Sequence, residues 1–350
     1  MRLVAIAPNP SIDRLYELDR LRIDAVNRPR SETLVAGGKG LNVARAAASL
    51  GADVMAVALL AGHAGRWIAD ALAGEGIAAR LVWCDGETRS CIAIHDAGDE
   101  SLTELNEAGP SVDPVAWERL VGALRAELSA GAARAAVGGA AGAAGAARAA
   151  VGAVGLVTVS GSLPLGAPSD GVAQLVAVAR AAGVPIGVDC SGEALRRALS
   201  ERPTLVKLNL AEAEATISGA GTDGTAAKDG SGGAHGDEAR AVALARALTE
   251  RTGGATIVTR GLGGAVAVAP DGRLLRISPP AVRGSYPVGS GDAFTAGVAT
   301  AMLGGASFDE ALRLGAAAAA ANSQRRGAGR LDAAKVSELL PTVSVEPVFD

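Results

Sequence analysis

Thr204-Leu205-Val206-Lys207-Leu208-Asn209-Leu210-Ala211-Glu212 runs from a strand pattern straight into the start of a helix. The stretch 204–208 is apolar apart from Thr204 and Lys207 and has the length of a buried strand. Asn209, with Glu212 three residues on, forms a variant of the capping box that opens helices. The same step recurs along the chain. Strand-type runs fall at 3–7, 54–60, 156–160, 185–189, 204–208, 255–259 and 265–269. Between most of them lie Ala/Leu-rich helical stretches, at 42–50, 64–74, 170–182 and 238–251. Alternating strands and helices imply an α/β fold with a mainly parallel sheet covered on both faces. Ligands of such sheets bind beyond the C-terminal strand ends.

The 350 residues suffice for one large α/β domain or two smaller ones. Aromatics are only 2 % of the chain, so Ala, Val, Leu and Gly must fill the core. A net charge of −4 argues against a nucleic-acid surface, which needs a basic face. Cys84, Cys91 and Cys190 form no CxxC pair and read as reduced thiols, which suits a cytoplasmic protein. The opening Met1–Ala7 reads as a first strand rather than a signal peptide, and no apolar run has membrane-spanning length.

Four regions break the rhythm. Residues 11–35 and 80–107 alternate more and carry more charge, as an antiparallel flap or ordinary surface hairpins would. Residues 129–155 are almost wholly Ala, Gly, Val and Arg, and the octamer Gly-Ala-Ala-Arg-Ala-Ala-Val-Gly occurs at 131–138 and again at 145–152. Two copies indicate a local duplication, not a solenoid. Residues 218–237 have the composition of a mobile loop.

Several motifs carry chemistry. Gly289-Ser290-Gly291-Asp292 is a glycine turn that delivers an acid to the start of the small-residue helix Ala293-Phe294-Thr295-Ala296-Gly297. Free N–H groups at a helix start cradle an anion, and the acid beside them suits a base. Standing alone, Asp292 reads first as a helix-dipole acid, and the bare glycines around it are what favour a ligand. Ala36-Gly37-Gly38-Lys39-Gly40-Leu41-Asn42 gathers N–H groups, a cation and an amide at one helix start. It is neither a Walker A loop nor GxGxxG. Thr259-Arg260-Gly261-Leu262-Gly263-Gly264 is either a hairpin or a backbone approach to a nucleotide, and Asn9-Pro10-Ser11-Ile12-Asp13 closes the first strand with an acid. Arg28 and Arg89 lie in the flap regions. His63, His95 and His235 show no metal-ligand spacing.

Taken in order, these motifs resemble the ribokinase-type (PfkB) carbohydrate kinases, in the branch of 1-phosphofructokinases and tagatose-6-phosphate kinases. The carriers are 9–13, Val26-Asn27-Arg28, 37–43, Gly86-Glu87-Thr88-Arg89, Glu104–Pro110, Ser160–Pro164, Asp189–Leu195, Asn209–Glu212 and Gly289–Asp292. The resemblance spans about residues 3–332. It implies a single kinase domain, a three-layer sandwich with a small antiparallel β-sheet lid. It also implies ATP-dependent conversion of a ketohexose monophosphate, fructose 1-phosphate foremost, or fructose 6-phosphate or tagatose 6-phosphate, to the 1,6-bisphosphate. Asp292 would be the base, with the N–H groups of Gly289, Ser290 and Gly291 as anion hole. Asp13, Gly37, Gly38, Asn42, Asn106 and Ser160 would hold the sugar, and Lys39, Arg28 and Arg89 would face its existing phosphate. Lys207, Asn209, Thr259, Gly261, Gly264 and Asn322 fall where the family binds ATP, and Glu212 would organise Mg2+ through water. Some members also bind a monovalent cation, and many are homodimers.

The chain departs from the family in four places, of which the long Ala-rich insert at 129–155 is one. Ser290 stands for the usual Ala, Leu208 for the usual Pro, and the 218–237 loop is long. Two other readings remain at this level: a kinase for an unphosphorylated sugar or nucleoside, and a non-catalytic sugar-phosphate-binding protein on the same scaffold. Paired cations at Lys39 and Arg89 would argue against an uncharged acceptor.

Overall fold

The computed structural model describes residues 1–139, 152–219, 234–282 and 284–348. The middle of the Ala/Gly insert and most of the 218–237 loop therefore lie outside the described residues. In chain order the elements are β1 (Arg2–Ala7), β2 (Ser11–Leu18), β3 (Ser31–Gly37), α1 (Lys39–Ser49), β4 (Asp53–Ala61), α2 (Gly62–Gly74), β5 (Ala78–Cys84), β6 (Arg89–Asp96) and β7 (Ser101–Asn106). There follow α3 (Pro114–Gly139), β8 (Val154–Ser160), α4 (Gly171–Ala181), β9 (Ile186–Asp189), α5 (Gly192–Leu199), β10 (Leu205–Asn209), α6 (Leu210–Ser218), α7 (Ala234–Thr252) and β11 (Ala255–Thr259). The chain ends with β12 (Ala265–Val268), β13 (Leu274–Ser278), α8 (Ser290–Leu303), α9 (Phe308–Asn322), α10 (Ala333–Leu339) and β14 (Ser344–Pro347).

Ten strands form one sheet in the order β14-β13-β12-β11-β10-β9-β8-β1-β4-β5. It is parallel from β11 to β5, and antiparallel pairing adds β12, β13 and β14 at one edge. Strand β1 shows why the sheet is covered on both faces. Leu3, Ala5 and Ala7 enter one buried layer with α1, α8 and α9, while Val4 and Ile6 enter the other with α3, α4 and α7. Alternate side chains point to opposite faces, so a strand apolar at every position needs helices on both sides. Each fully buried Leu or Ile contributes about 1.5–3 kcal/mol. A polar residue at Ile6 would leave an unpaired group in the layer that holds Trp117 and Leu120.

Strand β1 also lies between β4 and β8, so the chain leaves it in both directions across the sheet. That crossing opens a crevice at the C-terminal ends of β1, β8 and β9.

The second sheet has the order β3-β2-β6-β7. Its outer pairs are antiparallel and its central pair, β2 with β6, is parallel. Of the 80–107 stretch, Arg80–Cys84 belongs to β5 in the main sheet, where Leu81 and Val82 pair with Ala58 and Leu59. Only Pro8–Pro10 separate β1 from β2, and Gly38 alone separates β3 from α1. Gly38 has φ +86°, and a Cβ there would stand 2.8 Å from Pro10 Cα. Two of the chain's crossings between the sheets, β1 to β2 and β3 to α1, thus meet at one point beside the crevice. Among the described residues no helix is long and apolar enough to cross a membrane.

Candidate active site

The helix α8 starts over this crevice. Gly289 caps it with φ +80°, and a Cβ there would lie 2.7 Å from Ala328 Cα, so only glycine fits the turn. The first N–H groups of a helix have no intrahelical acceptor. Here the Ser290 N–H donates to the Pro287 carbonyl at 3.1 Å. Of the expected set of Gly289, Ser290 and Gly291, this bond engages Ser290. Ser290 is taken, and the N–H groups of Gly291 and Asp292 are the second and third of the helix. Gly291 is bare for a reason: a Cβ would sit 2.8 Å from Lys207 Nζ. A backbone anion cradle and an ammonium group therefore share one spot, which suits a transferring phosphoryl group.

Asp292 is buried, with 6 % of its surface exposed. Its carboxylate accepts a hydrogen bond from Asn42 Nδ2 at 2.9 Å, across 250 residues of chain. Burial and the nearby Asp189 carboxylate push it up to about 7, against the pull of Lys39, Lys207 and Asn42. Asp189 ends β9 with its side chain fully buried. It accepts from Lys39 Nζ at 3.1 Å, Lys207 Nζ at 2.9 Å and Thr295 Oγ1 at 3.1 Å. Burial opposes its charge, but Lys207 and Lys39 hold it down at about 2. Two carboxylates in one site are thus split into a permanent anion and a group poised near neutral pH, the pattern of an acid–base catalyst.

Lys39 differs from the expected phosphate clamp. Its Nζ pairs with Asp189 and, at 2.8 Å, with Glu212. Burial would weaken the ammonium, yet Asp189, Glu212 and Asp292 keep it charged well above its ordinary range. Lys39 opens α1 directly beneath the α8 turn, so its stem carries it to the acids rather than outward to Arg89.

Arg89 begins β6 and donates to the Asn9 carbonyl at 3.0 Å and the Glu107 carbonyl at 3.1 Å, while its buried Nε finds no partner in the described structure. Asp13 stands nearby. Burial raises its carboxyl above the usual range, against a 2.5 Å bond from Ser11 Oγ and the Gly38 N–H at 3.3 Å. Gly37 leaves room for that carboxylate, since any Cβ there would collide with it. Ser160 ends β8 in register with Asp189, its Oγ buried and without a partner among the described residues. Asn106 ends β7 opposite Cys91 and is exposed. Arg28 lies on the exposed β2–β3 connection with no ion pair among the described residues, outside the constellation. The spread is physical: the flap residues come together only where strand register brings them to the hinge.

On the far side of Lys39, Asn209 and Glu212 form a complete capping box. Glu212 Oε2 accepts the Asn209 N–H at 2.9 Å while Oε1 accepts Lys39. A carboxylate has about four lone-pair sites. Glu212 therefore keeps acceptor capacity for the water shell of Mg2+, which prefers to retain its waters. Among the described residues no cluster of three or more His, Cys, Asp or Glu is arranged to bind a metal directly. Thr259 closes β11, and its Oγ1 donates to the Leu208 carbonyl. Gly261 and Gly264 have φ +57° and +80° in the short helical turn between β11 and β12, the hairpin of the plainer reading. Asn322 differs from a nucleotide contact. It is fully buried and donates to the Val288 carbonyl at 3.0 Å and Ser290 Oγ at 3.2 Å, bracing the turn from beneath.

Three contributors escape motif reading. Asp189 was legible as a strand-end residue and the start of one family motif, but not as the partner of Lys39 and Lys207. Thr295 looks like one more small residue of the helix. Arg45, one turn after Asn42, is buried and donates to Asn42 Oδ1 at 3.3 Å, which turns the amide nitrogen toward Asp292. Its spacing of three from Asn42 is the one available signal. Cys84, Cys91 and Cys190 are free, and burial pushes the Cys190 thiol far up, as for an inert bystander. His63 is exposed.

The pfkB family carbohydrate kinase pattern matches residues 7–136 and 123–334, almost the whole chain. Solved structures of similar shape include a Thermotoga maritima protein described as a possible 1-phosphofructokinase, at 24% identity and TM-score 0.79, covering 100% of both chains. Phosphofructokinase-2 from Escherichia coli, in complex with substrates and products, matches at 22% identity and TM-score 0.78, over 97% of this chain and 99% of that one. A carbohydrate kinase from Agrobacterium tumefaciens matches at 24% identity and TM-score 0.65, over 99% and 100%. These likenesses show the ribokinase-like fold, and the family pattern carries the activity. The chain belongs to the pfkB carbohydrate kinases and is an ATP-dependent sugar kinase.

Proposed function

We propose that this kinase phosphorylates a ketohexose monophosphate, with fructose 1-phosphate as first candidate and fructose 6-phosphate and tagatose 6-phosphate as the others, to the 1,6-bisphosphate. One observation carries the reading. A buried carboxylate at about 7 stands at a helix start, beside an N–H cradle and Lys207. Asp292 takes the proton from the attacking sugar hydroxyl as that oxygen bonds to the γ-phosphorus of ATP and the bond to the β-phosphate oxygen breaks. The Gly291 and Asp292 N–H groups and Lys207 face the charge on the transferring group. Asp13 and Asn42 orient the sugar, and Arg89 with its free Nε faces the existing phosphate. Glu212 would hold Mg2+ through water, and the ion would neutralise charge on the phosphates. The names of the neighbours support a phosphofructokinase, and a potassium complex of the Escherichia coli protein supports a monovalent cation here as well. A cytoplasmic homodimer that contacts neither nucleic acid nor membrane completes the proposal.

The engagement of Lys39 with Asp189 and Glu212 favours a second reading, an unphosphorylated acceptor, because only Arg89 is left for a phosphate. A kinetic panel decides: fructose 1-phosphate, fructose 6-phosphate, tagatose 6-phosphate, fructose and adenosine, each with ATP and Mg2+. A monophosphate should give the highest kcat/KM. Preference for fructose or adenosine rejects the proposal in favour of the second reading.

A further inference from the structure

Glu17 lies on lid strand β2, far from the hinge, with only 11% of its side chain exposed. Its carboxylate accepts from Ser31 Oγ within the lid at 2.7 Å. It also accepts from two groups of the body, Tyr286 OH at 2.9 Å and Arg326 Nη2 at 2.6 Å. Arg326 Nε donates to Tyr286 OH at 3.0 Å, and the guanidinium lies 5.7 Å from the Tyr286 ring centroid. His95 of β6 flanks the same ring at 6.3 Å. A cleft of about 470 Å³ runs beside this cluster.

Both body residues belong to the segments that shape the anion cradle. Tyr286 precedes Gly289 by three residues, and its N–H donates to the Ser323 carbonyl. Arg326 precedes Gly327-Ala328-Gly329. Ala328 touches the space a Cβ on Gly289 would need, its carbonyl accepts from Arg45, and Gly329 lies against the Asn42 backbone. The clamp on Glu17 thus reaches, through two short backbone segments, both the cradle and the amide that holds Asp292.

We infer that Glu17, Tyr286 and Arg326 form a latch that positions the catalytic turn only when the lid is seated. This rests on the kinase reading above. Glu17 is a positioning residue: it touches no reacting atom, but its charge-assisted bonds tie lid position to the Val288–Asp292 backbone. Seating the lid excludes water, which competes with the sugar for the γ-phosphoryl group. A loosened latch therefore weakens sugar binding and lets water attack instead. In that side reaction a water oxygen bonds to the γ-phosphorus, the bond to the β-phosphate oxygen breaks, and Asp292 takes the water proton.

The test uses the full chain and the folded variants Glu17→Gln and Tyr286→Phe. Each should raise KM for the sugar about tenfold and the ratio of ATP hydrolysed to sugar phosphorylated about fivefold, with KM for ATP unchanged. Arg326→Lys, which keeps a charge near Glu17 but loses the bond to Tyr286, should fall between these and the wild type. Hydrogen exchange on the protein without substrates supplies a readout independent of activity. In Glu17→Gln the amides of β2 and β3 and those of Val288–Asp292 should exchange faster together. Unchanged exchange at Val288–Asp292, or an unchanged hydrolysis ratio in both folded variants, overturns the latch. Wild-type protein that transfers phosphate to no acceptor of the panel, while the exchange result holds, overturns the proposed ketohexose-monophosphate acceptor and leaves the mechanical coupling standing.

Discussion

Asp189 and Glu17 each gather three donors, yet they are built for opposite purposes. Asp189 has a fully buried side chain, and its ammonium partner Lys207 is 6% exposed. Glu17 is bridged by Arg326, which keeps 48% of its side chain exposed. Charges out of water interact strongly and are costly to strand, whereas a half-exposed pair is weakened by solvent and salt. The first arrangement holds a catalytic geometry through every turnover. The second is weak enough to break whenever a lid must open. The same residue chemistry therefore yields a fixed centre in one place and a releasable contact in the other, and burial makes the difference.

The sharpest way to break the buried centre is Asp292→Asn. Turnover should fall about 10²–10⁴-fold, the range for a lost general base. The folded protein should at the same time become more stable at neutral pH, because a buried carboxylate next to Asp189 is removed. The sign follows from the shift of Asp292 up to about 7 from an ordinary 3.8. Its contribution to stability is fully present below about pH 4 and is lost as pH rises through about 7, on the order of 4 kcal/mol. Thermal melts of wild type and variant from pH 5 to 8 check this: the gap in Tm should widen with pH. A gap that is constant or shrinks rejects the electrostatic account. Wild-type kcat/KM should decline below about pH 7 as the base takes up a proton.

Lys207→Met should cost about 10²-fold in kcat, comparable to loss of one oxyanion donor. Because Lys207 pulls the Asp292 carboxyl down, the acid limb of the pH profile should move to higher pH. A rate loss with an unmoved limb would separate Lys207 from the base. Arg89→Ala should raise KM about tenfold to thirtyfold for a sugar monophosphate and leave fructose unaffected, as loss of a charge-assisted contact would. An equal loss for both acceptors would mean that Arg89 only braces the Asn9 and Glu107 carbonyls. The latch variants should have the smallest effect, about tenfold in KM, and that effect should shrink as salt rises. Salt should leave the Lys207→Met defect unchanged, which is the contrast between the two clusters in one measurement.

Much of this was legible in the chain. Alternating apolar runs and helix starts implied the sheet, and glycine spacing implied the cradle, because backbone conformation depends on local sequence. The capping box of Asn209 and Glu212 was readable for the same reason. The partner of Lys39 was not. A motif names a cation but not the acids it will meet, and Lys39 meets Asp189 across 150 residues. Ser290 was read as a donor to an anion, yet its N–H is bonded to Pro287 by the local shape of the turn. Asn322 was read as facing the nucleotide, yet α9 packs on α8 and buries it beneath the turn.

The sequence by itself determined the order of strands and helices, the glycine turn before Asp292, and membership of the family. Periodicity, capping and turn chemistry act within a few residues and leave their mark in the string. Only the tertiary structure decided that Asp292 stands near pH 7 while Asp189 stays charged, and that Glu17 reaches Tyr286 across the lid. Those outcomes depend on burial and on distances between segments far apart in the chain, and electrostatic free energy is set by that environment rather than by residue type.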